Sequence, residues 1–210
     1  ITVSWNVSAA LLVVCCVWCR ELTCSFVFCP CTVGCGTLNL ARHLLTFLNN
    51  DESYHCVEPN LFLVESSLVV EKPRHIHVRN DFCAELTIDK KFDVVVGHSV
   101  MSHAGFLQWE YFFKSLNHHL KSNGVAFVSV CLCGACETVP RQYETNEEDV
   151  CLDSNDEEWV YPYVSYWKPS TLRRMAKEYG LHMIRRKDLR EIMIVDSPAD
   201  NHDWVSFSFF

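Results

Sequence analysis

The chain has 210 residues, of which 49% are hydrophobic and 21% charged, so it can bury one sizeable core and is too apolar to be a disordered segment. A formal net charge of −8 argues against a surface built to grip a nucleic-acid backbone, though it leaves room for a nucleic-acid substrate held by one local patch. The 13 cysteines fall within predicted strands and helices, Cys56, Cys83 and Cys131 among them, which predicts that most are buried free thiols in a reducing, cytoplasmic setting.

The chain begins at Ile1 rather than Met, as a fragment would. Residues 9–18 are apolar but fall short of the roughly 20 needed to span a bilayer. They lack the basic flank and small-residue cleavage site of a signal peptide, and Asn6-Val7-Ser8 matches a glycosylation sequon by letter alone. A buried helix or a loosely defined end is expected here, so residues 1–24 are set apart from a single domain over 25–210. Cys16-x-x-Cys19 and Cys131-x-Cys133-x-x-Cys136 have the spacing of metal or redox pairs. A zinc site needs two such pairs on suitable loops, so they are read as small apolar fillers and no metal site is predicted.

Residues 25–33 are apolar and β-rich, which predicts the first core strand, with Pro30 awkward in it because proline donates no ladder hydrogen bond. Gly34-Cys35-Gly36 then turns the chain into a helix over 37–49, marked by Leu38, Ala41, Leu44, Leu45 and Leu48. Two glycines at such a turn let the backbone approach a ligand, and the helix start behind them carries unpaired N–H groups and partial positive charge. That is the layout of a nucleotide-type cofactor site, although Asn39 stands where the G-x-G-x-x-G pattern has its third glycine.

A second strand is expected over 54–57 with Glu58 at its tip, then a helix over 61–70. His75-Ile76-His77-Val78 alternates as a third strand and leads to Asn80-Asp81-Phe82. Residues 92–97 read as a strand buried on both faces, followed by His98-Ser99. Phe106, Trp109, Phe113, Leu116 and Leu120 step by three or four along an amphipathic helix that stops at Lys121-Ser122-Asn123-Gly124, and 125–132 form a fifth strand.

Between Glu144 and Glu158 every charged residue is acidic, which predicts a solvated insertion around 137–158 without the carboxylate spacing or glycine of a calcium loop. Regular structure is expected to resume over 161–167. Tyr161, Tyr163, Tyr166 and Trp167 there are read as core or as the lining of an acceptor pocket. Pro169-Ser170 opens a helix with Leu172, Met175, Ala176 and Tyr179 inward and Gly180 as its stop. Residues 181–186 and 204–210 suggest a closing antiparallel hairpin, with 192–195 a further strand candidate. There is no internal repeat and no second domain. The alternation of strands and helices predicts an α/β fold, a doubly wound sheet with helices on both faces.

Ligands of such sheets bind at the C-terminal ends of the strands, and here four successive tips carry suitable chemistry. Gly34-Cys35-Gly36 offers the close turn. Glu58, roughly 20 residues on, can accept hydrogen bonds from both hydroxyls of a ribose. Asp81 can take an adenine amino N–H, Phe82 can cover the ring, and His98-Ser99 is a polar pair. Taken singly, Glu58 also suits a helix start and Asp81 a turn.

In this order the motifs resemble a class I S-adenosylmethionine-dependent methyltransferase. The resemblance rests on Val33-Gly34-Cys35-Gly36-Thr37, Tyr54-His55-Cys56-Val57-Glu58-Pro59-Asn60 and Asn80-Asp81-Phe82. It extends through Phe92-Asp93-Val94-Val95-Val96-Gly97-His98-Ser99 and Leu120-Lys121-Ser122-Asn123-Gly124, and covers about residues 26–210. It implies a three-layer, mainly parallel seven-stranded sheet whose last strand is antiparallel, and S-adenosylmethionine as cofactor. Gly34, Cys35 and Gly36 would line its methionine and ribose part, Glu58 its ribose hydroxyls, Asp81 and Phe82 its adenine, and His98 and Ser99 its methyl-donor end. His103 and His98 are the candidate bases. The expected acceptor is a small molecule, with no nucleic-acid partner and no membrane span. Neither acceptor nor oligomeric state is legible.

The pattern departs from the family at two positions. Thr32 stands where an acid usually precedes the first glycine by two residues, and Leu38 stands where glycine is usual. These favour a second reading, a non-catalytic scaffold that kept the fold. A nicotinamide-dependent oxidoreductase shares the glycine turn and ribose acid, but not the rest of the fingerprint.

Overall fold

The computed structural model describes residues 29–34, 54–58, 75–78, 90–132, 151–152, 165–185 and 203–209. Predicted elements over 37–49, 61–70 and 192–195 lie outside the described residues. So do the start of the first predicted strand, Leu38, Asn39, Cys83, Tyr161 and Tyr163.

Among the described residues, nine strands form one sheet. They are β1 (Pro30–Val33), β2 (His55–Glu58), β3 (His75–Val78), β4 (Phe92–Gly97), β5 (Leu120–Leu132), β6 (Cys151–Leu152), β7 (Tyr166–Trp167), β8 (Leu181–Arg185) and β9 (Asp203–Phe209). Two helices are described, α1 (Phe106–His119) and α2 (Pro169–Glu178), with a 3-10 turn at Met101–His103. Seven strands run in the order β3-β2-β1-β4-β5-β9-β8, parallel except that β9 is antiparallel to both β5 and β8. This is the expected seven-stranded frame with its last strand reversed. The short strands β6 and β7 are additional, running parallel off the end of β5.

Pro30 is tolerated in central β1 because it is the strand's first residue. It faces Val94 of β4, while pairing with β2 begins only at Cys31. β4 reads as an apolar run without alternation because both its faces are covered: Val94, Val95 and Val96 are all buried. Over one face lies α1, whose Trp109, Phe112, Phe113 and Leu116 recur at helical spacing and are buried. Phe113 and Trp109 meet Phe207 of β9 with ring centroids 5.0 Å and 6.1 Å apart. Gln108 caps α1 by accepting the Gly105 N–H at 3.1 Å. α2 starts on Pro169, buries Leu172, Met175 and Ala176, and ends at Gly180, whose φ of 73° suits a glycine stop.

Two expectations are corrected. Lys121-Ser122-Asn123-Gly124 is not a free turn before the fifth strand but an irregular stretch of β5 itself. Leu120 already pairs with Phe92, the register then shifts, and pairing resumes at Val94 with Val125. Gly124 is required there, since a Cβ would lie 2.8 Å from the Phe92 carbonyl oxygen. Lys121 reaches back to Asp93, Nζ to Oδ2 2.8 Å, and the same carboxylate oxygen accepts the Cys29 N–H at 2.8 Å.

The acidic stretch is not entirely loop, because Cys151 and Leu152 within it pair with Tyr166 and Trp167. Of the described cysteines, Cys29, Cys31 and Cys131 are buried thiols, as expected for most of them, whereas Cys56 is disulfide-bonded. Among the described residues no helix is long and apolar enough to cross a membrane.

Candidate functional site

The strand registers converge on one row at the C-terminal edge of the sheet. Val57, Val33, Gly97, Val128 and Val205 lie side by side across β2, β1, β4, β5 and β9. One step beyond that row come Glu58, Gly34, His98 and Ser129. Trp204 joins them because β9 runs the other way and pairs Trp204 with Ser129. Three residues selected from the sequence, Glu58, Gly34 and His98, therefore stand in line at one edge.

Gly34 leaves β1 with φ 70°, a left-handed conformation that glycine adopts without strain, and its N–H donates to the Val57 carbonyl at 2.8 Å. That bond holds the start of the turn against the strand that carries Glu58. The Glu58 side chain ends β2 and is buried, with 5% of the residue exposed. A carboxylate held there suits a ligand that brings its own hydroxyl donors.

After β4 the chain turns sharply. Among the described residues, Ser99 is the one non-glycine with left-handed φ, at 52°. Its N–H donates to the Ser129 hydroxyl at 2.7 Å. The His98 ring lies nearly flat against Trp204, with centroids 5.6 Å apart and planes 17° from parallel. Met101–His103 follows as a single 3-10 turn, with His103 half-buried as its last residue.

This turn is stitched to β7. The Ser165 N–H and hydroxyl both donate to the Ser102 carbonyl, at 2.7 Å and 2.9 Å, and Trp167 Nε1 donates to the Ala104 carbonyl at 3.2 Å. Trp167 is thus core rather than pocket lining, buried beside Trp109 and Leu172. Tyr166 is half-buried.

Behind the glycine turn, Thr32 is buried and its hydroxyl is hydrogen-bonded to the Tyr54 phenol. Burial pushes the Tyr54 phenol up, while the Thr32 bond acts in the opposite direction. Burial likewise pushes the Cys31 thiol up, with Cys29 beside it adding to the shift, so Cys31 is an inert thiol rather than a nucleophile.

Cys35, Gly36, Asp81 and Phe82 lie outside the described residues. Sequence reasoning missed Ser129 and Trp204. One signal was available: an antiparallel strand brings its first residues, not its last, to the edge where parallel strands end. Among the described residues no group of three His, Cys, Asp or Glu side chains is placed to hold a metal.

A protein-family model described as "Methyltransferase domain" matches residues 32–126, from β1 into β5. No curated protein matches the sequence. The fold is similar to the crystal structure of an S-adenosylmethionine-dependent methyltransferase from Clostridium acetobutylicum ATCC 824. Identity is 13%, coverage 99% of this chain and 92% of that one, and the TM-score 0.68. It is also similar to Streptomyces venezuelae DesVI, at 13% identity, 99% and 93% coverage and a TM-score of 0.66. A third likeness is to the glycopeptide N-methyltransferase MtfA complexed with (S)-adenosyl-L-methionine, at 14% identity, 99% and 88% coverage and a TM-score of 0.60. The structural likenesses carry the fold, a Rossmann-like sheet with its last strand antiparallel. The family model adds that the stretch from β1 into β5 is similar to a methyltransferase domain.

Proposed function

We propose that the chain binds S-adenosylmethionine along the row Glu58, Gly34 and His98 and transfers its methyl group to a small-molecule acceptor. The observation carrying this reading is the buried Glu58 carboxylate beside the left-handed Gly34, with His98 in the same row. A carboxylate at that point accepts from two ribose hydroxyls, and a glycine turn leaves space for the chain of atoms that runs on from the ribose. The residues present therefore fit this cofactor. By the family resemblance Cys35 and Gly36 would line the methionine and ribose part, and Asp81 with Phe82 would flank the adenine. The domain spans 25–210, with 1–24 outside it and the acid-rich insertion around 137–158.

The bound cofactor supplies a methyl group already activated on a sulfonium, so this chain's residues have only to align the acceptor and exclude water. Ser99 and His98 edge the methyl-bearing end. His98 or His103, both on the segment after β4, takes the proton from a hydroxyl or amine acceptor. The similarity in fold to a glycopeptide N-methyltransferase supports a small acceptor.

A second reading is a scaffold that no longer binds the cofactor. It is favoured by Thr32, whose hydroxyl bonds Tyr54 where family members carry an acid. Calorimetric titration with S-adenosylmethionine and S-adenosylhomocysteine separates the two. The methyltransferase reading expects binding, and Glu58→Ala should weaken it by about 1–3 kcal/mol through loss of charge-assisted hydrogen bonds. Folded protein that gives no heat with either ligand favours the scaffold, and unchanged affinity in E58A removes the ribose assignment.

A further inference from the structure

We propose that Ser129 and Trp204, paired across β5 and β9, clamp the His98-Ser99 turn into the shape that receives the methyl-bearing end of the cofactor. The proposal rests on the cofactor reading above. Three observations meet at this point. Ser99 holds a left-handed φ of 52°, a conformation in which a residue with a β-carbon is strained. Its N–H is held at 2.7 Å by the Ser129 hydroxyl, from a side chain with no exposed surface. The neighbouring His98 ring is pressed flat against Trp204, itself buried, at 5.6 Å and 17°.

Ser129 and Trp204 are register partners, so one pair of adjacent residues grips two consecutive residues of the turn, one through its backbone and one through its ring. Strained backbone at a strand tip persists only where its surroundings over-determine it, and these two contacts do so. Ser129 and Trp204 are therefore positioning residues. They act on the ligand through His98 and Ser99, and β9 joins the site although its own residues arrive more than a hundred positions later.

The test is calorimetric titration of S-adenosylhomocysteine into wild type, E58A, H98A, S129A, W204L, W204F and the H98A/W204L pair, each first checked for a cooperative melt. S129A and W204L should each weaken binding by about five- to tenfold, the scale of one hydrogen bond or one ring contact. W204F should restore most of the W204L loss, because a phenyl ring still stacks on His98. The H98A/W204L pair should lose no more than the larger single loss, since both act through one contact.

The ring protons of His98 should also move downfield in the NMR spectrum of W204L, as they leave the shielding face of the indole. Should W204L fail to fold, S129A carries the test. S129A with wild-type affinity, or losses in H98A and W204L that multiply, overturns the clamp while E58A still reports a working cofactor site. Wild-type protein without measurable binding overturns the cofactor reading and the clamp with it.

Discussion

The hydroxyl of Thr32 and the phenol of Tyr54 are hydrogen-bonded to each other inside the sheet, across β1 and the start of β2. Tyr54 is 1% exposed and Thr32 2%, so neither hydroxyl has water to fall back on. The position two residues before the first glycine of the turn is here part of the core. Thr32→Val should lower stability by about 1–3 kcal/mol, because it strands a buried phenol. Tyr54→Phe removes the other half, and the double variant should lose less than the two single losses combined. Urea denaturation of the three variants measures this, and strictly additive losses would show that the bond is not made.

Gly124→Ala should destabilise the fold by about 1–3 kcal/mol through overpacking. The new Cβ would meet the Phe92 carbonyl oxygen at 2.8 Å and Leu120 at 3.0 Å, and the former is backbone that cannot swing aside. Gly97→Ala is the contrast: its nearest neighbour would be a Val128 methyl at 3.7 Å, an ordinary contact. Thermal melts should place G97A near wild type and G124A well below it.

Stability should fall as the solution is made alkaline. Folding raises the Cys31 thiol from its ordinary 9.0 and the Tyr54 phenol from 10.0, mainly by burial. Above those values the unfolded chain has released protons that the folded chain still holds. The unfolded state then binds fewer protons, and stability declines with rising pH by about 1.4 kcal/mol per pH unit for each group. Below pH 9 neither group contributes a slope. Melting temperatures between pH 8 and 11 should show the decline, and Cys31→Ala should make it shallower between about pH 9 and 10.

Trp167→Phe keeps an aromatic ring in the core and removes the N–H that reaches the Ala104 carbonyl and the Ser165 hydroxyl, each at 3.2 Å. A loss of about 1 kcal/mol is expected. Faster amide exchange should be confined to the Met101–His103 turn and the residues just after it, because Trp167 and Ser165 hold that turn against β7. Exchange that rises evenly over the whole sheet would mean that Trp167 acts as general core filling.

Sequence by itself determined the elements whose burial repeats locally. β3, β4, α1 and α2 follow from alternation, an unbroken apolar run and helical spacing, because each of these patterns records which face of a short segment leaves water. The glycine turn and Glu58 were legible for the same reason, since a conformational need and a strand tip are both local. Only the tertiary structure decided what has no local pattern. Strand pairing depends on contacts far apart in the chain: a reversed last strand is expected, but its place between β5 and β8 and its register against them are not readable from any local pattern. Pairing tied Lys121-Ser122-Asn123-Gly124, just past the end of α1, into β5 against Phe92 and Asp93. It also carried Trp204 onto His98, a contact that exists because an antiparallel strand begins at the edge where its parallel neighbours end.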